Sequence, residues 1–167
     1  MDKVLIFTPD RCTGCALCEM ICSLVHTKTC NPARSRIRVL TLEQKGVVVQ
    51  TFCQQCEDAA CMAACPVSAI TNNDALGTIE IDRELCIMCE DCIAACPFKA
   101  IYRDGIDEKI VACDFCGGDP QCVKYCETQA IEFLEKDSAA IQKKKKSQQE
   151  LKGLLKLLES YTGGPGS

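Results

Sequence analysis

Four runs of closely spaced cysteines constrain this chain more than any other feature. Sixteen of its 17 cysteines fall in these runs, and Cys30 lies outside them. The first and third runs have the spacing C-x2-C-x2-C-x3-C, whereas the middle gap has four residues in the second run and five in the fourth. The runs are Cys12, Cys15, Cys18 and Cys22; Cys53, Cys56, Cys61 and Cys65; Cys86, Cys89, Cys92 and Cys96; and Cys113, Cys116, Cys122 and Cys126. The chain is therefore an internal repeat.

This spacing is typical of iron–sulfur proteins. A [4Fe–4S] cluster needs four thiolates, and three cysteines two residues apart can surround three corners of the cube. The fourth cysteine, on the following helical turn, is placed to bind a neighbouring cluster. Pro66 and Pro97 follow the last cysteines of the second and third runs, where a residue without an N–H group is suitable. The sixteen cysteines therefore predict four [4Fe–4S] clusters.

Other uses of so many cysteines fit the sequence less well. Zinc sites take two C-x2-C pairs, so the remaining cysteines of each run would be surplus. Disulfide scaffolds occur in secreted proteins, and MDKVLIFTPD does not resemble a secretory signal. No segment approaches 18 consecutive apolar residues, so we expect no membrane span and a cytoplasmic protein.

The rest of the composition supports a metal protein and excludes other classes. With five Phe, three Tyr and no Trp, the chain is poor in large core residues, so bound clusters are expected to fill the interior. The net charge of −4 argues against nucleic-acid binding. A phosphate-binding glycine loop and a nucleophile–base pair are both absent from the sequence, so we expect no catalytic site.

Secondary structure can be predicted around the runs. The segments PVSAI (66–70), PFKAI (97–101) and ETQAI (127–131) each follow a run and predict a helical turn that leads into a strand. Alternating β-branched residues predict a hairpin over 36–52, with Gly46 in its turn. Residues 139–161 predict a helix with a leucine stripe, and TGGPGS predicts a flexible end whose GPGS could come from cloning. The stripe is Leu151, Leu154, Leu155 and Leu158.

In these motifs the sequence resembles the four-cluster, ferredoxin-type electron-transfer subunits of molybdenum and tungsten oxidoreductases. The resemblance covers roughly residues 3–135 and includes CSLVHT (22–27), NPARSRIRV (31–39), CQQCEDAAC (53–61) and CGGDPQCV (116–123). NPARSRIRV and CGGDPQCV are most similar to subunits that serve tungsten aldehyde-oxidoreductase-type enzymes, including the related benzoyl-CoA reductases.

The resemblance implies an α+β fold of two pseudo-symmetric, bacterial dicluster ferredoxin-like modules, one nested in the other. Residues 53–104 would form the inner module, and 1–52 with 105–135 the outer module, which contains the hairpin. Residues 136–161 would be a C-terminal helical extension and 162–167 a flexible tail.

The resemblance also implies which cysteines share a cluster, because runs one and four pair in this family, as do runs two and three. The first set is Cys12, Cys15, Cys18 and Cys126, and the second set is Cys22, Cys113, Cys116 and Cys122. The third set is Cys53, Cys56, Cys61 and Cys96, and the fourth set is Cys65, Cys86, Cys89 and Cys92. The two prolines agree with this pairing, since they follow runs two and three only.

The implied function is the relay of single electrons to or from a large catalytic subunit of the molybdopterin or tungstopterin type. A flavin subunit or further copies of this chain are additional candidate partners. The alternatives are a subunit of formate dehydrogenase, carbon monoxide dehydrogenase or hydrogenase, and a free-standing polyferredoxin.

Several residues outside the runs allow two interpretations. His26 either donates a hydrogen bond near the second set or caps a helix, and Cys30 is expected to be a structural or surface thiol. NPARSRIRV is either a turn and strand whose arginines face water or a docking surface, which the family resemblance favours. The leucine stripe either forms one packed face of an appendage or attaches to a partner subunit or a neighbouring copy. We favour attachment, because no core is expected near the stripe.

Charged residues near the runs are expected to act on the clusters. Each oxidised cluster with four thiolates carries a charge of roughly −2, so basic residues could offset it, or simply be solvated. These residues are Arg11, Arg34, Arg36, Arg38, Lys99 and Lys124. Glu127 stands where proline follows runs two and three, and its charge predicts a lower potential for the first cluster. Lys143–Lys146 is expected to be solvated.

Overall fold

The computed structural model describes residues 3–162, which form an α+β fold of short strands and mostly short helices. The strands are β1 (Lys3–Phe7), β2 (Ile37–Leu42), β3 (Val47–Phe52), β4 (Ile70–Asn73), β5 (Thr78–Ile81), β6 (Ile101–Asp104), β7 (Lys109–Ala112) and β8 (Ile131–Glu135). The helices are α1 (Leu17–Thr27), α2 (Ala60–Ala63), α3 (Asp91–Ala95), α4 (Gln121–Lys124) and α5 (Ser138–Thr162). Short 3-10 turns lie at Pro9–Arg11, Pro32–Arg34, Glu43–Lys45 and Phe115–Gly118.

Within residues 3–162 the strands form four antiparallel ribbons: β1 with β8, β2 with β3, β4 with β5, and β6 with β7. The β1–β8 ribbon, with Leu5 opposite Phe133, joins the two ends of the cysteine-containing region. The β6–β7 ribbon crosses the expected boundary between the modules, since Asp104 pairs with Lys109. The two expected modules therefore share a hairpin, and their nesting and pseudo-symmetry stay predictions.

The hairpin predicted over 36–52 is confirmed. β2 and β3 pair from Ile37 opposite Phe52 to Leu42 opposite Val47. Gly46 closes the turn at a φ of 61°, in the left-handed region that glycine adopts without strain. The turn therefore gives this ribbon the register that the alternating pattern requires.

The segments that follow runs two, three and four repeat in the backbone as they do in the sequence. β4, β6 and β8 each begin at the isoleucine of PVSAI, PFKAI or ETQAI. Two residues earlier, Ser68, Lys99 and Gln129 have φ values of 52°, 48° and 52°. Each segment therefore leaves its short helix through the same left-handed turn, as the predicted helix-to-strand order requires.

Cysteines form a large part of the core, as expected for a chain poor in aromatic residues. The main cluster of buried side chains joins aliphatic residues of the ribbons, such as Leu5, Ile37 and Ile101, to cysteines of all four runs. The buried cysteines are Cys18, Cys22, Cys53, Cys61, Cys92, Cys113 and Cys122. Thiols therefore occupy places that leucine or phenylalanine would fill in an ordinary core.

The predicted C-terminal helix is confirmed as α5, but the expectation that its leucines have no core nearby is wrong. Leu151 and Leu155 are buried against Val49, Phe98 and Ala100, which lie in or just before β3 and β6. The stripe therefore packs on its own chain, and it does not need a partner subunit to cover it.

Two further findings concern the ends of the chain and the membrane. Of the predicted tail 162–167, residues 163–167, which include GPGS, lie outside the described residues. Between residues 3 and 162, no helix combines the length and apolar character that crossing a membrane requires.

The packing of α5 predicts a loss of stability when its buried face is truncated. We expect Leu151→Ala to destabilise the protein by about 2–5 kcal/mol, because it removes a buried side chain and leaves a cavity. For a chain of this size that corresponds to a fall in thermal midpoint on the order of 5–15 °C, measured on anaerobically purified protein. Lys156→Ala, on the exposed side of α5, is the control, and equal midpoints for the two variants would contradict the packing.

Candidate iron–sulfur centres

The first run illustrates how the backbone presents its thiols. The loop before α1 contains two residues in the left-handed region, Gly14 at a φ of 72° and Ala16 at 57°. These turns curl the chain between Cys12 and Cys18 and lead into the helix. Cys18 and Cys22 then lie four residues apart on α1, on one helix face, and both are buried. The run therefore delivers thiols from a curled loop and from the helix that follows it.

The structure brings together thiols from different runs in the second and third sets. Burial raises the pKa of Cys122, and the neighbouring thiols Cys22 and Cys116 raise it further. Burial likewise raises the pKa of Cys53 to about 12, with Cys61 and Cys96 among the thiols that add to it. Cys22 belongs to run one and Cys96 to run three, so these neighbours match the crossed pairing.

In the first set the neighbouring thiols come from run one, whereas the fourth set joins runs two and three. Burial and Glu19 raise the pKa of Cys18 to about 12, and Cys12 and Cys15 contribute in the same direction. The fourth set is gathered around one small cavity. Its lining includes Cys65, Cys86, Cys89 and Cys92.

Cys126, the remaining member of the first set, follows α4, which packs against α1. Burial opposes ionisation of its thiol, but the backbone N–H of Ile131, the hydroxyl of Thr128 and the backbone N–H groups of Ala130 and Thr128 outweigh it and lower the pKa. These surroundings favour the ionised, metal-binding form of Cys126. Glu127 beside it is exposed, and its effect on a cluster stays a prediction.

Hydrogen-bond donors point at the sulfur atoms. The backbone N–H groups of Ala69 and Ala100 lie 3.2 and 3.4 Å from the sulfurs of Cys65 and Cys96, at the same place in two repeats. The N–H of Arg36 lies 3.3 Å from the sulfur of Cys22. Donors in these positions stabilise negative charge on thiolates and on the sulfides of a cluster.

Gln50 is a donor that the sequence did not reveal. Its side-chain Nε2 lies 3.3 Å from the sulfur of Cys12 and 3.7 Å from that of Cys18. Gln50 is buried in β3, and its Oε1 has no hydrogen-bond partner. The sequence signal that could have indicated this role is that Gln50 directly follows the three valines Val47–Val49.

His26 lies beside the second set. Its Nε2 is 3.6 Å from the sulfur of Cys116 and 3.4 Å from Oδ1 of Asp114. Burial and the nearby Arg36 guanidinium lower the pKa of His26. Arg36 also pairs with Asp114, whose pKa falls although burial acts against it. The backbone cap of α1 is Lys28, so the contact with the second set is the interpretation that the structure supports.

Of the two interpretations of NPARSRIRV, the turn and strand are observed, but Arg34 and Arg38 are held by other residues of the chain and do not simply face water. Arg34 donates to both carboxylate oxygens of Asp104, at 2.8 to 3.1 Å, and it also pairs with Asp107. Arg38 stacks on the ring of Tyr102, with its guanidinium carbon 4.7 Å from the ring centroid. These arginines tie residues 31–39 to β6 and the following turn, so they give no support to a docking role.

The other basic residues remain near the surface. Lys99 pairs with Glu159, and Lys124 with Asp119, in ion pairs whose four side chains are all more than half exposed. Arg11 is exposed, and so is Cys30, as expected for a surface thiol. Of the six basic residues, Arg34 and Arg36 are therefore the ones whose largely buried side chains fit least with simple solvation.

The donor set suits iron–sulfur clusters. Cysteine sulfur is the usual ligand of such clusters, and buried thiols in groups with N–H donors are the surroundings that they require. The raised pKa values describe the thiols without metal, and binding would replace their protons. His26, Asp114 and Cys116 also place ligand atoms within 4.8 Å of one another, but this group shares Cys116 with the second set.

Comparisons with known proteins show the family. Residues 44–136 match the family of 4Fe-4S dicluster domains. The chain belongs to this family. It is 42% identical to the aliphatic sulfonate oxidoreductase, polyferredoxin-like subunit of Pyrococcus furiosus, over 78% of this chain and 75% of that protein. It is 31% identical to the thiosulfate reductase electron transfer subunit PhsB of Salmonella typhi, over 84% and 79% of the two chains.

A solved structure has a similar fold. A chain of the active site complex BamBC of benzoyl coenzyme A reductase superposes with a TM-score of 0.50 at 26% sequence identity. The match covers 80% of this chain and 76% of that one. The expectation of a ferredoxin-like α+β fold is therefore confirmed at the level of the dicluster domain.

The contacts of Gln50 predict an effect on a cluster of the first set. We expect Gln50→Leu to lower one reduction potential by on the order of tens of millivolts, because donors to sulfur favour the more negative, reduced state. A redox titration followed by electron paramagnetic resonance measures it. Gln44→Leu in the exposed hairpin turn is the matched control. A shift in both variants, or in neither, would contradict a specific role for the side-chain amide.

Proposed function

We propose that this chain is the iron–sulfur electron-transfer subunit of an oxidoreductase complex and holds four [4Fe–4S] clusters in the four sets of cysteines. The main supporting observation is that thiols of runs one and four are neighbours, and so are thiols of runs two and three, as the crossed pairing requires. The family match and the relatives named as electron-transfer or polyferredoxin-like subunits support the same role.

The thiols that neighbour one another across sets support a linear order of the centres. The pKa of Cys122 in the second set is raised first by burial and by the thiols of the same set, and then also by Cys18 of the first set. In the same way Cys53 of the third set contributes to the raised pKa of Cys113 in the second. The first, second and third sets therefore follow one another.

The fourth set follows the third. Burial raises the pKa of Cys92 in the fourth set to about 11, and Cys61 of the third set adds to it. Helices α2 and α3, which carry Cys61 and Cys92, pack against each other. These neighbours support the order first, second, third and fourth, along which bound clusters would pass one electron at a time.

The exposure of the cysteines supports electron entry and exit at the two ends of this order. Cys15 of the first set and Cys89 of the fourth set are exposed, whereas Cys53 and Cys113 in the middle are buried. Leu85 and Ile87, beside the fourth set, have exposed fractions of 53% and 62%. Apolar side chains at such a position suit a contact with a redox partner, because a protein interface buries them.

For the partner we propose a large catalytic subunit with a molybdopterin- or tungstopterin-type cofactor. The resemblance of CGGDPQCV and NPARSRIRV to subunits of tungsten aldehyde-oxidoreductase-type enzymes supports it, as does the fold shared with a chain of the benzoyl coenzyme A reductase complex. A second candidate is an oxidoreductase of sulfur compounds, because the two relatives belong to sulfonate and thiosulfate enzymes.

Metal content tests the number of clusters. We expect about sixteen iron and sixteen acid-labile sulfide per chain in anaerobically purified protein, since each cube contains four of each. Both are measured chemically against protein concentration. Reconstitution with iron and sulfide separates incomplete loading from a smaller number of sites. A ratio that stays near eight after reconstitution would refute four clusters.

Purification from the native source tests the subunit role. We expect the chain to elute from gel filtration with a much larger protein, and elemental analysis of that fraction to find molybdenum or tungsten. Binding between redox partners can be weak, so mild chemical crosslinking before lysis provides the control. Elution as a lone small protein even after crosslinking would favour the free-standing polyferredoxin.

A further inference from the structure

Helix α5 brings basic side chains to the third set. The match to the dicluster family ends at residue 136, and α5 begins at Ser138, so the helix is an addition to the matched domain. A cleft lies between α5 and the loop that carries Cys56. Its lining includes Lys144 and Lys152 from the helix and Cys56 and Phe98 from the ferredoxin-like part.

Lys144 differs from its neighbours in the run Lys143–Lys146. Lys143 pairs with Glu132, Lys146 pairs with Glu150, and Lys145 is exposed. Lys144 is only partly exposed, and its Nζ lies 3.5 Å from the backbone oxygen of Gln55, next to Cys56 in the chain. The expectation that the whole run is solvated is therefore wrong at Lys144.

The charge of Lys144 lies beside the third set. Lys144, Lys152 and Cys56 line the same cleft. The carbonyl oxygen that Lys144 approaches belongs to the residue directly before Cys56 in the chain. Lys152 is held by the ring of Phe98, with its Nζ 5.1 Å from the ring centroid. Two lysines of one helix thus direct positive charge at this set, and Lys144 is the less exposed of them.

We infer that α5 raises the reduction potential of the cluster in the third set through the charge of Lys144. Reduction adds one negative charge to a cluster, and a nearby positive charge in partly desolvated surroundings stabilises that state. Glu57 and Asp58 line the same cleft but are exposed, so water screens their opposing charges. Lys144 is a positioning residue for charge and binds no iron itself. The inference rests on the proposed function.

The test is a redox titration of the full chain, followed by electron paramagnetic resonance, with Lys144→Gln and Lys144→Arg. At a fixed ambient potential, Lys144→Gln is expected to reduce the ratio of reduced to oxidised cluster about tenfold for one cluster, a shift of about −59 mV. Lys144→Arg keeps the charge and is expected to keep the potential. Lys156→Gln changes the net charge equally at an exposed position outside the cleft and is the matched control.

The outcomes separate this inference from the proposed function. Unchanged potentials in Lys144→Gln protein that retains the iron of the wild type would overturn the inference alone. An equal shift in Lys156→Gln would do the same, because the effect would then come from net charge. If Lys144→Gln does not fold, Lys144→Met, which also removes the charge, replaces it; the same downward shift is expected, and an unchanged potential would overturn the inference. A wild-type chain without four clusters refutes the proposed function first.

Discussion

The burial of thiols from distant parts of the chain is the constraint on which the rest of the structure depends. Cys22 and Cys122 lie a hundred residues apart in the sequence, yet they are neighbours in the core. A local loop cannot achieve this, so the chain must fold back on itself. The β1–β8 ribbon and the packing of α1 on α4 hold its two ends together. Since metal binding requires ionised thiols in a formed site, cluster insertion and folding are coupled.

The sequence predicted those parts of the structure that depend on local patterns. The hairpin follows from alternation and Gly46, and α5 follows from helical periodicity with leucines on one side. Cys61 and Cys96 lie near Cys53, and the assignment of cysteines to four clusters stays a prediction. In each case the determining residues lie within one short segment or within a spacing that has a known chemical use.

The sequence did not predict contacts between segments that are distant in the chain. Arg34 resembled a surface residue because nothing near it in the sequence is acidic, yet Asp104, only 2% exposed, lies 70 residues further on. Gln50 resembled an ordinary strand residue, and its sulfur partners lie more than 30 residues earlier. Such polar side chains are buried because a particular partner exists, and one sequence alone does not identify that partner.

The packing of the leucine stripe of α5 also determines where the lysine run of this helix lies. Leu151 and Leu155 bind the helix to the ferredoxin-like core by burying apolar area, which fixes the orientation of the helix. Lys144 lies seven residues before Leu151, which is two helical turns, so it is brought to the same side. Packing thus compels a lysine to enter a partly buried cleft beside Cys56. The sequence of α5 suggested attachment to another protein. Its packing instead places Lys144 where the charge changes the electrostatic surroundings of a site within the chain.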